Sequence, residues 1–107
     1  MEKYYELIIL SNTHNLNTDN AITIDKPVKL INDVTLEIDD ITYSFNYLIF
    51  TNTSQISNFY ETNILHENGI PVTNFYHQTT YENIFYQGDG NIELAIETLY
   101  ESNSNLF

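Results

Sequence analysis

The chain of 107 residues contains no cysteine and no arginine, and only three glycines and two prolines. Without cysteine there is no disulfide framework, no thiolate nucleophile and no zinc site built on sulfur, so a reducing cytosolic setting is compatible and a small stapled secreted scaffold is not. Without arginine there is no planar bidentate capture of phosphate or carboxylate, no arginine finger and no arginine-to-guanine readout. Positive charge is confined to Lys3, Lys26 and Lys29 against 15 Asp and Glu, for a formal net charge of −12. A field of that sign repels phosphates, which disfavours direct nucleic-acid binding; a partner selected by electrostatics is basic. Long apolar runs are also lacking near the start. Leu7 to Leu10, with Glu2 and Glu6 before it, is too short for a signal-peptide core or a membrane span. The expectation is a soluble cytoplasmic protein with no membrane partner. Asn, Ile, Tyr and Thr are used heavily and Ala, Gly, Pro and Arg sparingly, the bias of AT-rich coding sequence, which points to a low-GC bacterium or its phage.

What is present argues for a folded domain. Hydrophobic residues make up 42% and aromatics 14% of the chain, too apolar a composition for a disordered acidic tail. At this length the chain buries roughly two thirds of its unfolded surface, enough for one core, so residues 1–107 are read as one domain. The β-branched and aromatic run from Lys3 to Ser11 predicts a strand, and the Asn-rich stretch 12–20 a loop. A short strand follows at 21–25, which 28–31 could continue. Val34, Leu36 and Ile38 alternate with Thr35, Glu37 and Asp39, then Asp39-Asp40 turns the chain into 41–50, so this pair predicts a hairpin. Ile56, Phe59, Tyr60 and Ile64 recur at spacings of three and four behind capping hydroxyls at 51–54, with Asn68-Gly69 as a stop, which predicts a helix over 54–67. Two further strands are expected at 70–78 and 81–87. Beyond the break at Gly88-Asp89-Gly90, the spacing of Ile92, Ala95, Ile96, Leu99 and Tyr100 predicts a helix over 91–102. The sum is a small α+β domain, an antiparallel sheet packed with one or two α-helices.

Two groups of carboxylates are candidates for partner binding. Asp89, Glu93, Glu97 and Glu101 recur every four residues, which on a helix sets neighbours about 6 Å apart along one face. Like charges at that spacing destabilise an isolated helix by a few tenths of a kcal/mol per pair, roughly, with no Lys or Arg nearby to offset them. The bland explanation is a solvated helix face with acids suited to the N-terminal dipole. The sharper one is a stand-in for a row of phosphates, since a DNA strand presents one negative charge per roughly 3.4 Å of rise. The second group is Glu37, Asp39 and Asp40 on the hairpin, with Asp33 before it, where Asp also favours turns for local reasons. If hairpin and helix lie on one side, their fields merge into a single anionic patch.

Other chemistry finds less support in the sequence. Asp89, Asn91 and Glu93 fall at positions 1, 3 and 5 of a calcium loop, but Leu94 stands where Gly is needed and Tyr100 where the bidentate Glu belongs. His14, His66 and His77 show no ligand spacing, so no metal or other cofactor is expected. Six serines, three histidines and many carboxylates are the only parts for an enzyme; the nucleophile elbow, the phosphate loop and the HExxH helix are all missing, and no catalytic activity is expected. Nine tyrosines exceed what such a core needs. Tyr4, Tyr5, Tyr76, Tyr81 and Tyr86 could line a sheet face, as cross-strand packing or as a binding surface.

In charge, size and lack of cysteine the chain resembles the phage-encoded acidic inhibitors, including anti-CRISPR proteins and other DNA mimics. That resemblance implies a stoichiometric inhibitor evading host defence. Its carboxylates would stand in for phosphates on the basic surface of a nucleic-acid-binding protein such as a CRISPR effector or another defence nuclease. The residues it reaches are Asp89, Glu93, Glu97, Glu101 and the hairpin acids. An immunity protein or antitoxin neutralising a basic toxin shares the same physics. A non-enzymatic oligomerising module, with charge serving solubility, is the alternative from another class.

Overall fold

In a computed structural model of the chain, which describes residues 2–13 and 15–102, the run Leu7 to Leu10 is buried on both faces. It ends β1 (Glu2–Leu10), which lies between β2 (Ala21–Ile24) and β5 (Ile41–Phe50) and is parallel to both. Strands covered on both faces read as continuous apolar runs and not as alternation, which accounts for Leu7 to Leu10 and for Leu48 to Phe50. The far side of β5 is shared. Its first four residues pair antiparallel with β4 (Thr35–Ile38), and its last three pair parallel with β8 (Ile84–Tyr86). Beyond β4 lies β3 (Lys29–Asn32), so the order is β2-β1-β5-β4-β3 with β8 attached to β5. The expected α+β class holds, with a mixed sheet and one α-helix, α1 (Ile92–Ser102).

Two apolar clusters occupy the two faces. One gathers Ile8, Leu10, Leu30, Leu36, Ile38, Phe45, Leu48, Phe50 and the residues Ile56, Phe59 and Ile64 from the following segment. The other gathers Leu7, Ile9, Ala21, Ile49 and Phe85 under Ile92, Ala95 and Leu99 of α1. Tyr43 and Phe45 belong with Leu48 and Phe50, and Tyr5 with Ile8, so the alternation slips by one residue in both central strands. The slip falls at Glu6 and Asn46, where Glu6 Oε1 accepts from Asn46 Nδ2 at 2.8 Å and Oε2 accepts from the Tyr4 hydroxyl at 2.8 Å. The hydrogen bond to Glu6 holds the Tyr4 phenol above its ordinary pKa.

The helix expected over 54–67 is absent. In its place are 3-10 turns at Thr53–Gln55 and Phe59–Glu61 and a small hairpin of β6 (His66–Glu67) and β7 (Ile70–Pro71). Asn and Thr side chains outcompete the helical ladder. Asn52 Oδ1 accepts from Ser54 N at 3.0 Å, Thr62 Oγ1 donates to Phe59 O at 2.6 Å, and Asn58 holds both backbone groups of Leu30, at 2.9 and 2.8 Å. Ile56, Phe59 and Ile64 still reach the core, while Tyr60 is exposed. Residues 28–31 do not prolong β2: Val28 bridges to Ile56, and 29–31 belong to β3, which pairs with β4. Val34 is exposed. The strands expected over 70–78 and 81–87 shrink to the two residues of β7 and the three of β8.

Candidate functional site

The stretch Gln87 to Asn91 sets the start of α1. Gln87 N donates to Phe50 O at 2.9 Å, which ties this stretch to the end of β5. Gly90 takes a φ of 76°, a left-handed value that a glycine adopts without penalty, and closes the turn with Gly90 N on Gln87 O at 3.0 Å. Asn91 then caps the helix, its Oδ1 accepting from Leu94 N at 3.0 Å. Asp89 stands before the helix, so it is not the first member of a helical row. Its Oδ1 accepts from Asn91 N at 2.9 Å and from Gln87 Nε2 at 2.8 Å. Those bonds, the backbone one first, hold the Asp89 carboxyl below its ordinary pKa, with His77 nearby adding to the effect. The side chain of Gln87 is 1% exposed, and its Oε1 has no hydrogen-bond partner among the described residues.

Glu93 and Glu97 are where the four-residue spacing puts them, exposed on the outer face of α1 while Ile92, Ala95 and Leu99 face the sheet. Neither has an ion pair among the described residues. Glu101 lies in α1, but its side chain falls outside the described residues, as do the side chain of Tyr100 and the whole of His14.

The hairpin acids are in different company. Asp39 and Asp40 form the β4–β5 turn with φ of 50° and 67°, the left-handed pair of a type I′ turn. Lys26 Nζ lies 3.9 Å from Asp39 Oδ2, both side chains well exposed, a geometry worth at most a few tenths of a kcal/mol or so. Glu37 is half-buried and pairs across the strands with Lys29. Lys3 Nζ sits 5.8 Å from the ring centre of Tyr43, on the same end of β5. All three lysines therefore surround the β3–β4–β5 hairpin. Leu30, Leu36 and Ile38 of that hairpin turn into the cluster on the face opposite α1, so alternation sends Glu37, and Lys29 opposite it, to the α1 side of the sheet.

Of the tyrosines, Tyr5 stacks on Tyr43 with centroids 6.4 Å apart, and Tyr81 and Tyr86 pack against the core, while Tyr4 and Tyr76 stay exposed. The exposed apolar residues Leu65, Ile70, Val72 and Phe75 are not among the candidates that the sequence suggests. The signal that could have found them is Asn68-Gly69, a hairpin dipeptide flanked by apolar residues. Among the described residues no three His, Asp or Glu side chains are grouped to hold a metal ion, and no helix is long and apolar enough to cross a membrane. Comparison with protein-family models, curated proteins and solved structures returned no match.

Proposed function

We propose that this chain is a non-enzymatic, stoichiometric inhibitor acting in the bacterial cytoplasm. It binds the basic nucleic-acid-binding surface of a defence nuclease or another DNA- or RNA-binding enzyme, in the manner of the anti-CRISPR class. The observation that carries this reading is the segregation of charge: every lysine lies around the hairpin, while Glu93 and Glu97 project from α1 with no cation against them among the described residues. An outward acidic face without counter-charge keeps its full field for a cationic groove and steers association with it. Asp89, whose hydrogen bonds hold its carboxyl below its ordinary pKa, adds a further exposed carboxylate ahead of the helix.

Oligomerisation through sheet edges draws less support. The outer side of β2 is occupied by the 16–18 segment, through Thr18 N to Ala21 O at 2.8 Å and Thr23 N to Leu16 O at 2.8 Å. That of β3 is met by Asn58 on Leu30. The antitoxin reading shares the same acidic face and differs only in the target.

The test is to capture basic proteins from a bacterial lysate at low salt, then titrate the chain against the DNA binding of the captured protein. Full inhibition at one equivalent, weakening steeply from low to moderate ionic strength, is the expected outcome. Binding that is indifferent to salt, or that leaves nucleic-acid binding intact, contradicts the proposal.

A further inference from the structure

The β6–β7 hairpin is amphipathic in an unusual sense, with apolar residues on both faces. Asn68 and Gly69 supply φ of 54° and 79° for its turn, and Val72 N donates to Leu65 O at 2.9 Å, extending the two-residue ladder. The inner face is Pro71, buried, and His66, whose ring packs 5.3 Å from Phe59 and 5.1 Å from Tyr60. Alternation sends Leu65, Ile70 and Val72 outward, where they are 62%, 59% and 41% exposed. Leu65 N donates to Thr80 Oγ1 at 2.8 Å, which fastens this face beside the turn that follows it.

That turn presents Phe75, 90% exposed and the most exposed large apolar residue among those described. It is held rigidly. Asn74 Oδ1 accepts from Tyr76 N at 2.9 Å and from Gln78 N at 3.0 Å, Asn74 Nδ2 donates to Gln78 Oε1 at 2.7 Å, and Asn74 N donates to Gln78 O at 3.1 Å. His77 completes it with a φ of 65°, and the Tyr76 ring stands edge-on to Phe75 at 5.5 Å and 89°. An aromatic ring left in water forgoes the stabilisation that burial of its apolar surface would bring. Fixed on a hydrogen-bonded turn, it gives up little further freedom on docking, which is the profile of an interface anchor.

The surroundings identify the partner's chemistry. Exposed Glu67 stands opposite Ile70 in the hairpin, and exposed Glu82 follows the turn, its backbone carbonyl accepting from Gln78 Nε2 at 2.9 Å. The segment 65–82 itself contains no lysine or arginine, and Lys29 lines the neighbouring cavity with Glu61, Asn63 and Tyr81. We infer that the outer face of the β6–β7 hairpin and the Phe75 turn form a docking surface for a basic protein, with Phe75 entering an apolar pocket rimmed by lysine or arginine. A second copy of the chain would set this acidic rim against itself, and an anionic membrane would be repelled. The inference rests on the proposed binding of a basic protein and adds the part of the surface that grips it.

The test uses two synthetic probes of equal length and charge, an amphipathic Lys–Leu helical peptide and a Lys–Ser peptide. Each is titrated into the isotope-labelled chain by NMR, for the wild type, Phe75→Ala, Ile70→Ser and the double variant Glu93→Lys with Glu97→Lys. The wild type should bind the Lys–Leu peptide about tenfold more tightly than the Lys–Ser peptide, a difference of about 1.4 kcal/mol. Amide shifts should concentrate over residues 65–78, and each of the two apolar variants, with dispersed spectra, should lose that preference. Equal affinity for both peptides, or an unchanged preference in both folded apolar variants, overturns the inference. So does a concentration-dependent shift of the same amides without peptide, which would assign the surface to self-association, or binding to zwitterionic vesicles that Phe75→Ala abolishes. Should the double charge variant bind the Lys–Ser peptide as the wild type does, the acidic-face reading fails, while loss of the preference in Phe75→Ala still upholds the docking surface.

Discussion

Asp39 and Asp40 are consecutive non-glycine residues at positive φ, a conformation that costs an ordinary L-residue roughly 1–2 kcal/mol and Asp somewhat less. Their carboxylates also repel each other, with only the 3.9 Å pair to Lys26 in return. Asp40→Gly is therefore expected to stabilise the free protein by about 1 kcal/mol, read as a higher urea midpoint at unchanged slope. At this scale the sequence was legible where a residue type has one dominant use and misleading where it has two. Asp89 shows the second case. Its spacing from Glu93 matches the helical row, but an Asp just ahead of a helix also accepts backbone N–H groups. Here it bonds Asn91 N while Gly90 at φ 76° sets the boundary. Asn68-Gly69 is another example, since a left-handed dipeptide serves equally as a helix stop and as a hairpin turn.

Elements with strong periodicity or long β-branched runs were readable from the sequence. The strands β1, β2, β4 and β5 and the helix α1 lie close to the spans their patterns predict. The segment between Thr51 and Thr80 was not. The spacing of Ile56, Phe59 and Ile64 correctly marked them as core, but three buried residues in a segment full of Asn, Ser and Thr can be delivered by turns as well as by a helix. Asn58 is the clearest case. Its amide occupies the place of a neighbouring strand, accepting from Leu30 N and donating to Leu30 O, a contact 28 positions away that no local pattern announces. Asn58→Ala should leave both backbone groups of Leu30 unpaired and destabilise the fold by about 1–3 kcal/mol in urea unfolding. The same reasoning explains why the parallel pairing of β1 with β5 was not foreseen: continuous apolar runs mark burial on two faces but do not say which strand lies alongside.

For the whole molecule, the decisive arrangement is the gathering of all three lysines around one hairpin, with no ion pair to Glu93 or Glu97 among the described residues. The sequence supplied the totals, 15 acids and three lysines, and the four-residue spacing of Glu93 and Glu97, but not that the lysines would assemble around one hairpin. That assembly depends on the sheet order, with Lys29 opposite Glu37, Lys26 near Asp39 and Lys3 over Tyr43. Of the three hairpin acids, Asp39 has a lysine within ion-pair distance among the described residues, and the proposed binding role rests on the α1 face. The most direct measurement compares two charge reversals of equal size, Glu93→Lys with Glu97→Lys on α1 and Asp39→Lys with Asp40→Lys on the hairpin. Each variant, with its fold verified by circular dichroism, is assayed for binding to the basic protein that the wild type captures at low salt. Reversal on α1 should weaken binding at least about a hundredfold, as expected for close charge pairs at an interface, while reversal on the hairpin changes it by less than about tenfold. Equal losses from the two reversals, or a folded α1 variant that binds as the wild type does, would contradict the account.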